Sequence, residues 1–248
     1  MASRQELEQH IKEQLQVDRF KDYCPNGLQV EGTATIRKLV SGVTASQALI
    51  DAAIEQGADA LLVHHGYFWK GESAVISGIK RRRVKRLLDH DLNLFAYHLP
   101  LDAHPELGNN AQLGHLLNFV HEGTAGDMDI LCYGKTQQLM TGEQLASEIE
   151  TALQRVPQHI SAETEIQRVA WCTGAAQSYI EQAVDLGVDA FVSGEISEQT
   201  VHIARETGIH YYAAGHHATE RYGVQALGQH LAETYGLEHT FIDIDNPV

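Results

Sequence analysis

Two stretches of the chain share the same order of apolar and polar segments. Apolar runs at residues 36–43 and 166–174 each predict a buried strand. Each run is followed by a segment with apolar residues at three- and four-residue spacing, which predicts a helix that ends at Gly57 or Gly187. The two stretches therefore begin with the same strand–helix pattern.

Further apolar segments complete each stretch. Residues 60–63 and 190–193 predict the second strands, and residues 93–98 and 210–215 predict the third strands. Strands that alternate with helices form parallel sheets with right-handed crossovers, so we expect an α/β fold with two similar α/β lobes. Residues 241–244 predict one additional strand.

An internal repeat supports two lobes of common origin. The segment QALIDAAIEQGADA (residues 47–60) aligns without gaps to QSYIEQAVDLGVDA (residues 177–190), with six identities in fourteen positions. We expect an N-terminal lobe at residues 1–125 and a C-terminal lobe at residues 126–248, joined through a less regular stretch from about 121 to 167.

Composition favours an intracellular protein with a substantial core. Hydrophobic residues make up 43% of the 248 positions. The cysteines Cys24, Cys132 and Cys172 are widely separated and odd in number, which favours reduced thiols over disulfides. The first twenty residues carry acids and no continuous apolar run, so we expect no signal peptide, no membrane partner and a cytoplasmic location.

Charge divides the chain into an acidic whole and one basic segment. The formal charge of −15 disfavours attraction of the whole protein to nucleic acid. Residues 80–86 nevertheless read KRRRVKR and hold six of the eighteen basic residues. This segment is either the solvated face of a helix or a local anion-binding patch, and the sequence leaves both open.

Candidate metal ligands follow the predicted strands. Ligands collect at the carboxyl ends of parallel strands, where His64, His65 and Asp102 lie in the first lobe. His216 and Glu220 are four residues apart at the start of a predicted helix, so they share one face. His64 and His65 are expected to point to opposite sides of their strand, which suits two ions.

The number and type of these ligands predict a pair of ions. Five ligands are too many for one tetrahedral zinc and fit two bridged divalent metal ions. Mixed imidazole and carboxylate ligation suits Zn, Fe, Mn, Co or Ni without choosing among them. Such a pair activates water and stabilises negative charge, so hydrolysis is the chemistry we expect.

Two further residues near these strand ends have open roles. His98 is a candidate acid or base, or a residue that orients a ligand, and a packed, hydrogen-bonded histidine is the alternative. Glu195 aligns with His65 across the repeat, so it either supports the metal site or caps a helix.

The chain resembles the Nif-three-like family, whose bacterial members are often called GTP cyclohydrolase type II-like dinuclear metal proteins. Six segments in order carry the resemblance: PNGLQVEG (25–32), VTASQALIDAA (43–53), VHHGYFWKGE (63–72), HLPLDAHPELGNNAQL (98–113), SGEISEQT (193–200) and AAGHHATE (213–220). The match runs nearly end to end, and the inserted middle domain of longer members is absent.

The resemblance implies a dinuclear site in the cleft between two lobes and a ring-shaped homohexamer built as a trimer of dimers. The family's metal positions fall on His64, His65, Asp102, His216 and Glu220. The activity attached to the family is opening of the purine ring of GTP by metal-bound hydroxide, which predicts a hydrolase with a nucleotide substrate. The alternatives are a non-enzymatic ring that binds nucleic acid or a partner protein, and a metal store or chaperone.

Overall fold

A computed structural model describes residues Met1–Val248 and has a mixed α/β fold with three sheets. The strands are β1 (Ala2–Ser3), β2 (Gly27–Val30), β3 (Thr35–Ile36), β4 (Lys38–Thr44), β5 (Ala60–His65), β6 (Asn93–Ala96), β7 (Val120–Ala125), β8 (Leu131–Met140), β9 (Gln158–Ile160), β10 (Ile166–Cys172), β11 (Ala190–Ser193), β12 (His210–Ala213) and β13 (Glu238–Phe241). The α-helices are α1 (Arg4–Gln14), α2 (Gln47–Glu55), α3 (Gly78–Asp89), α4 (Leu99–Ala103), α5 (Asn109–Leu116), α6 (Gly142–Leu153), α7 (Ile180–Asp185), α8 (Glu198–Thr207), α9 (His216–Thr219) and α10 (Arg221–Tyr235). None of the helices combines the length and the apolar composition that a bilayer crossing requires.

The chain forms two compact units, residues 1–108 with 223–245 and residues 109–222 with 246–248. The expected division at residue 125 differs from these units at both ends. Residues 109–125 lie in the second unit because Leu113 of α5 packs in the core around Trp171. Most of α10 lies in the first unit because Leu227 and Leu231 pack in the core around Phe95.

The first unit contains a five-stranded sheet in the order β13-β4-β5-β6-β2. β13, β4, β5 and β6 are parallel, and β2 is the antiparallel edge strand. The three strands predicted from apolar runs are confirmed. The last strand begins earlier than the predicted residues 241–244, because α10 ends at Tyr235 and only a short turn precedes β13.

The second unit contains a six-stranded sheet in the order β7-β8-β10-β11-β12-β9. The predicted parallel strands β10, β11 and β12 form its centre. The expectation of a less regular stretch at about 121–167 is wrong, because β8, α6 and β9 lie there. β8 runs for ten residues and pairs with β10, but its polar Lys135, Gln137 and Gln138 break the apolar pattern that marks a buried strand.

The internal repeat has a structural counterpart in two aspartates. Asp59 Oδ2 accepts hydrogen bonds from two successive backbone N–H groups at the start of β4, at 2.8 and 3.0 Å. Asp189 Oδ2 accepts from the equivalent pair in β10, at 2.9 and 2.7 Å. The predicted helix ends are also confirmed, since Gly57 and Gly187 have φ of 67° and 65°. The repeated sequence therefore encodes the same strand–helix–strand frame in each unit.

Candidate metal centre

The first unit brings two of the predicted ligands together. His64 is the fifth residue of β5 and is fully buried, and Asp102 lies in α4. His64 Nδ1 is 3.0 Å from the carbonyl oxygen of Tyr97, which accepts a hydrogen bond and so places the ring proton on Nδ1. His64 Nε2 lies 3.4 Å from Asp102 Oδ1. The Nε2 lone pair and the neighbouring carboxylate oxygen could therefore both bind a metal ion.

His65 lies next to His64 at the end of β5. Its Nδ1 is 3.1 Å from the hydroxyl oxygen of Thr44 on the neighbouring strand. The ring centroids of His64 and His65 are only 4.7 Å apart, so they do not point to opposite sides of the strand as expected. The regular pleat ends at this residue, which lets both rings occupy the same region. Ring nitrogens of His64, His65 and His98 all lie within 4.8 Å of one another.

His98 is held by a carboxylate that sequence reasoning missed. His98 Nδ1 is 2.8 Å from Asp22 Oδ1, and Asp22 also accepts hydrogen bonds from the Leu99 N–H and the Asn26 side chain. Burial acts to raise the pKa of Asp22, but its hydrogen bonds, led by that from His98, outweigh burial and lower it. The structure therefore shows a hydrogen-bonded ring of fixed orientation, which is compatible with each of the roles left open for His98.

Asp22 was missed because it precedes a loop and not a predicted helix. Its side chain is almost fully buried, and 76 positions separate it from His98 along the chain. The one available signal was its position three residues before the segment PNGLQVEG.

The cysteines are all buried and free, as the sequence predicts. Cys24 lies within 4.8 Å of ligand atoms of Asp22 and His98. Burial and the negative charge of Asp22 raise the pKa of the Cys24 thiol to about 12. It is therefore a thiol, not a thiolate, at neutral pH.

The second unit places His216 between two carboxylates. His216 Nδ1 is 2.7 Å from Glu195 Oε1, and His216 Nε2 is 3.1 Å from Glu220 Oε2. His216 is the first residue of α9, and Glu220 is the residue that caps its C-terminal end. The predicted i, i+4 pairing is therefore confirmed. Glu195 contacts His216 and is not the helix cap, which is Ser197. The open alternative for Glu195 thus resolves in favour of a residue that orients a candidate ligand.

Charge and close packing define the surroundings of His216. Burial lowers the pKa of His216, but the carboxylates of Glu220 and Glu195 outweigh burial and raise it to about 9. The ring is therefore an imidazolium at neutral pH, and an ion at Nε2 displaces one proton. Gly174 has φ of 68°, and a Cβ at that position would lie 2.1 Å from Glu220 Oε1. Only glycine admits the Glu220 carboxylate there.

All four histidines use Nδ1 in the same way. The Nδ1 atoms of His64, His65, His98 and His216 each lie within 3.1 Å of an oxygen atom. Such a partner fixes the ring and directs Nε2 toward the ligand position, which is the arrangement found around metal-ligating histidines. The residues present therefore fit divalent metal ions of the kind that imidazole and carboxylate bind.

The basic segment forms part of α3, as one of the two interpretations predicted. Three of its cations are neutralised by acids of the same unit: Lys80 by Glu72 at 3.1 Å, Lys85 by Asp89 at 2.5 Å and Arg86 by Asp51 at 2.8 Å. Arg81 and Arg82 remain exposed. The patch is thus less basic than its sequence indicates.

Comparison with known proteins assigns the family. The model of Duf34/NIF3 (NGG1p interacting factor 3) matches residues 2–247. A protein of Yersinia pestis named GTP cyclohydrolase 1 type 2 homolog is 56% identical over 245 residues, 98% of each chain. Its namesake from Escherichia coli (strain K12) is 57% identical over 245 residues, again 98% of each chain. The solved structure of protein ybgI, described as of unknown function, superimposes with a TM-score of 0.97 at 55% identity and covers both chains fully. The resemblance noted from sequence segments is thereby confirmed, and the chain belongs to the Duf34/NIF3 (NGG1p interacting factor 3) family.

Proposed function

We propose that this protein is a metal-dependent hydrolase that acts on a nucleotide. In this proposal His64, His65, Asp102, His216 and Glu220 are the ligands of two divalent metal ions. The observation that carries it is that all three proposed ligand histidines have Nδ1 held by an oxygen atom, which leaves Nε2 for an ion and is the usual arrangement of metal-ligating histidines. The names of the relatives, GTP cyclohydrolase 1 type 2 homolog, favour a nucleotide.

The protein's own groups divide the work. Two divalent metal ions, when bound, supply an activated water and stabilise developing negative charge. His98 is the proposed proton carrier, because it lies beside His64 and His65, with ring centroids 5.0 and 5.8 Å away. Asp22 holds His98 Nδ1 and keeps the opposite nitrogen, Nε2, directed away from itself. Proton exchange is therefore assigned to His98 Nε2.

The experiment is elemental analysis of protein as purified, followed by a hydrolysis screen with GTP and related nucleotides. We expect two metal ions per chain and metal-dependent turnover. His64→Ala should lose both, whereas exposed His90→Ala, a histidine change in the same unit, should lose neither. Full metal content without turnover of any nucleotide would reject the hydrolase while leaving the ligands in place.

The resemblance also supports a ring-shaped homohexamer, which we include in the proposal. Light scattering would then give a mass six times that of the 27.4 kDa chain. A mass of one or two chains at micromolar concentration would contradict it.

A second candidate function, binding of nucleic acid, rests on the two exposed cations of α3 that are not neutralised, Arg81 and Arg82. Because three of the six cations already pair with acids, this candidate predicts weak binding with a shallow salt dependence. Arg81→Ala/Arg82→Ala should abolish salt-dependent binding of double-stranded DNA if the candidate is correct. Lys135→Ala/Arg205→Ala, which removes two exposed cations from the other unit, is the charge-matched control.

A further inference from the structure

Three aromatic side chains on or next to the loop that follows His65 are not buried. Tyr23 is 60% exposed, Phe68 is 37% exposed and Trp69 is partly exposed. Aromatic residues usually contribute to the core, where their large apolar area is removed from water. Exposed aromatic side chains on and next to one loop indicate a ligand-binding surface.

Phe68 and Trp69 lie in residues 67–72, which we call the aromatic loop, and hydrogen bonds hold its backbone in place. The Gln29 side-chain amide accepts from the Tyr67 N–H at 2.7 Å and donates to the Tyr67 carbonyl at 3.1 Å. The Glu72 carboxylate accepts from the Trp69 N–H at 3.1 Å. The Lys70 N–H donates to the Tyr23 carbonyl at 2.6 Å, which ties the loop to the third aromatic residue. The exposed rings are therefore presented by an ordered backbone.

Backbone strain in the aromatic loop points the same way. Phe68 has φ of 65°, a conformation that bulky side chains rarely adopt. Lys80 Nζ lies 4.9 Å from the centroid of its ring and bonds to Glu72 at 3.1 Å, so neighbouring contacts hold the strained residue in place. Strain that is held in this way clusters at binding and active sites.

Trp69 is the member of the group nearest to the proposed chemistry. Its ring centroid is 4.9 Å from that of His98, with the planes at 84°, and 6.0 Å from that of His65. The indole Nε1 donates to the Gly66 carbonyl at 3.2 Å, which fixes the ring orientation. A partly exposed indole is thus held at a set angle beside a proposed metal ligand and the proposed proton carrier.

We propose that Trp69 is the platform on which the heteroaromatic base of a nucleotide substrate stacks. The proposal rests on the nucleotide hydrolase proposed above and deepens it by naming the group that recognises the base. Stacking on an aromatic side chain uses the π-face that every base has, and it needs a ring whose position is already fixed. A purine offers the larger stacking face, which suits an indole. The histidines then lie against the edge of the stacked base.

Tryptophan fluorescence tests this directly, because the chain has only two tryptophans and Trp171 is 1% exposed in the second unit. Trp171→Phe leaves Trp69 as the sole indole. Titration of metal-free Trp171→Phe protein with GMP should quench its emission saturably, whereas ribose 5-phosphate, which lacks a base, should not. Trp69→Phe protein, whose only indole is the buried Trp171, measures the inner-filter absorption of GMP.

Calorimetry supplies the affinity comparison in otherwise unaltered protein. Trp69→Ala should weaken GMP binding about tenfold or more, and Trp69→Phe should weaken it less because a ring remains. Leu139→Ala, which removes a 52% exposed apolar side chain from the second unit, should leave binding unchanged.

Three results would overturn the proposal. These are no saturable quenching at millimolar GMP, equal quenching by ribose 5-phosphate, and emission that changes only with protein concentration. The last would mean that a second copy of the chain covers Trp69. Because binding is measured without metal, quenching by GMP with no turnover would reject the hydrolase and keep the platform. Turnover that is unchanged in Trp69→Ala would reject the Trp69 platform and keep the hydrolase.

Discussion

His65 in the first unit and Glu195 in the second occupy equivalent positions of the internal repeat, yet they carry different chemistry. His65 is a proposed ligand whose Nδ1 contacts the Thr44 hydroxyl at 3.1 Å. Glu195 is an orienting group whose carboxylate contacts His216 Nδ1 at 2.7 Å. The frame beneath them is unchanged, since Asp59 and Asp189 make the same pair of backbone contacts. A duplicated frame has therefore kept its structural residues while its strand ends diverged.

The divergence gives the two units different electrostatics. In the first unit the proposed ligand histidines are oriented by oxygens without formal charge, the Tyr97 carbonyl and the Thr44 hydroxyl. In the second unit two carboxylates flank His216 and raise its pKa to about 9, against the effect of burial. A metal ion held at His216 Nε2 would displace the proton that faces Glu220, while Glu195 would keep its contact with Nδ1.

The largest expected effect comes from removal of one ligand from either unit. His64→Ala and His216→Ala should each lower metal affinity by about 100-fold or more. Loss of a residue that only hydrogen-bonds a ligand costs about 10- to 100-fold, and loss of the ligand itself should cost at least as much. Competition with a chromophoric chelator measures the affinity. Exposed His202→Ala is the matched control for the second unit. Metal binding that survives His216→Ala unchanged would mean that the first unit holds its ions alone.

A smaller effect should separate the two kinds of orienting group. Glu195→Ala removes a charged partner of His216 and should cost about 10- to 100-fold in metal affinity. Thr44→Val removes a neutral partner of His65 at a longer distance and should cost less. The same chelator competition compares the two variants. Equal losses would show that the charge of the orienting group does not matter.

Stability should respond alike in the two units where the frame is repeated. Asp59→Ala and Asp189→Ala each leave two backbone N–H groups without their carboxylate, which should cost about 2 kcal/mol of unfolding free energy. Because the two sites share no partner, the costs should add in the double variant. Urea denaturation measures them. A loss confined to one variant would argue against an equivalent frame.

Much of this frame was predictable because apolar runs and glycine caps are local features. The segments that became β4, β5, β10 and β11 are rich in apolar residues, so the local sequence pattern located them. β8 escaped prediction because it is stabilised by pairing with β7 and β10, and its alternation is interrupted by polar residues that face solvent. The assignment of α10 to the first unit depends on which core accepts its apolar face, which no local pattern specifies.

The site was predictable where its residues follow strands and was not where a long-range contact decides. His64, His65 and His216 were predicted as ligands because they lie at or just after the ends of parallel strands, where ligands collect. Asp22 was not found, because only the folded loop brings its carboxylate to His98. The sequence also does not reveal that His64 and His65 lie side by side, since that depends on where the pleat of β5 ends.

The smallest effect should come from a histidine pair that each unit contains. His10 and His230 lie 3.2 Å apart in the first unit, and His159 and His210 lie 3.0 Å apart in the second. Burial, and then the neighbouring histidine, lower the pKa of His10 and of His159. Below about pH 6.5, the ordinary histidine pKa, the unfolded chain therefore binds protons that His10 and His159 resist in the folded state, and stability falls as pH falls.

The comparison of the two pairs sharpens the contrast between the units. We expect metal-free protein to lose about 1 kcal/mol or less per pair between pH 7 and 5, after discounting for partial exposure. The second unit should contribute more, because His210 is 2% exposed and the His159 ring stacks on Tyr212 at 4.3 Å. His159→Gln should thus flatten the pH dependence of urea denaturation more than His10→Gln. His216 acts in the opposite direction, because the unfolded chain takes up its proton in this window whereas the folded ring, with a pKa of about 9, is already protonated. Its stabilising effect is lost as pH rises from about 6.5 to 9, and because it is the same in both variants it cancels in their comparison. A steeper dependence in His159→Gln would mean that a charge elsewhere in the second unit sets its acid sensitivity.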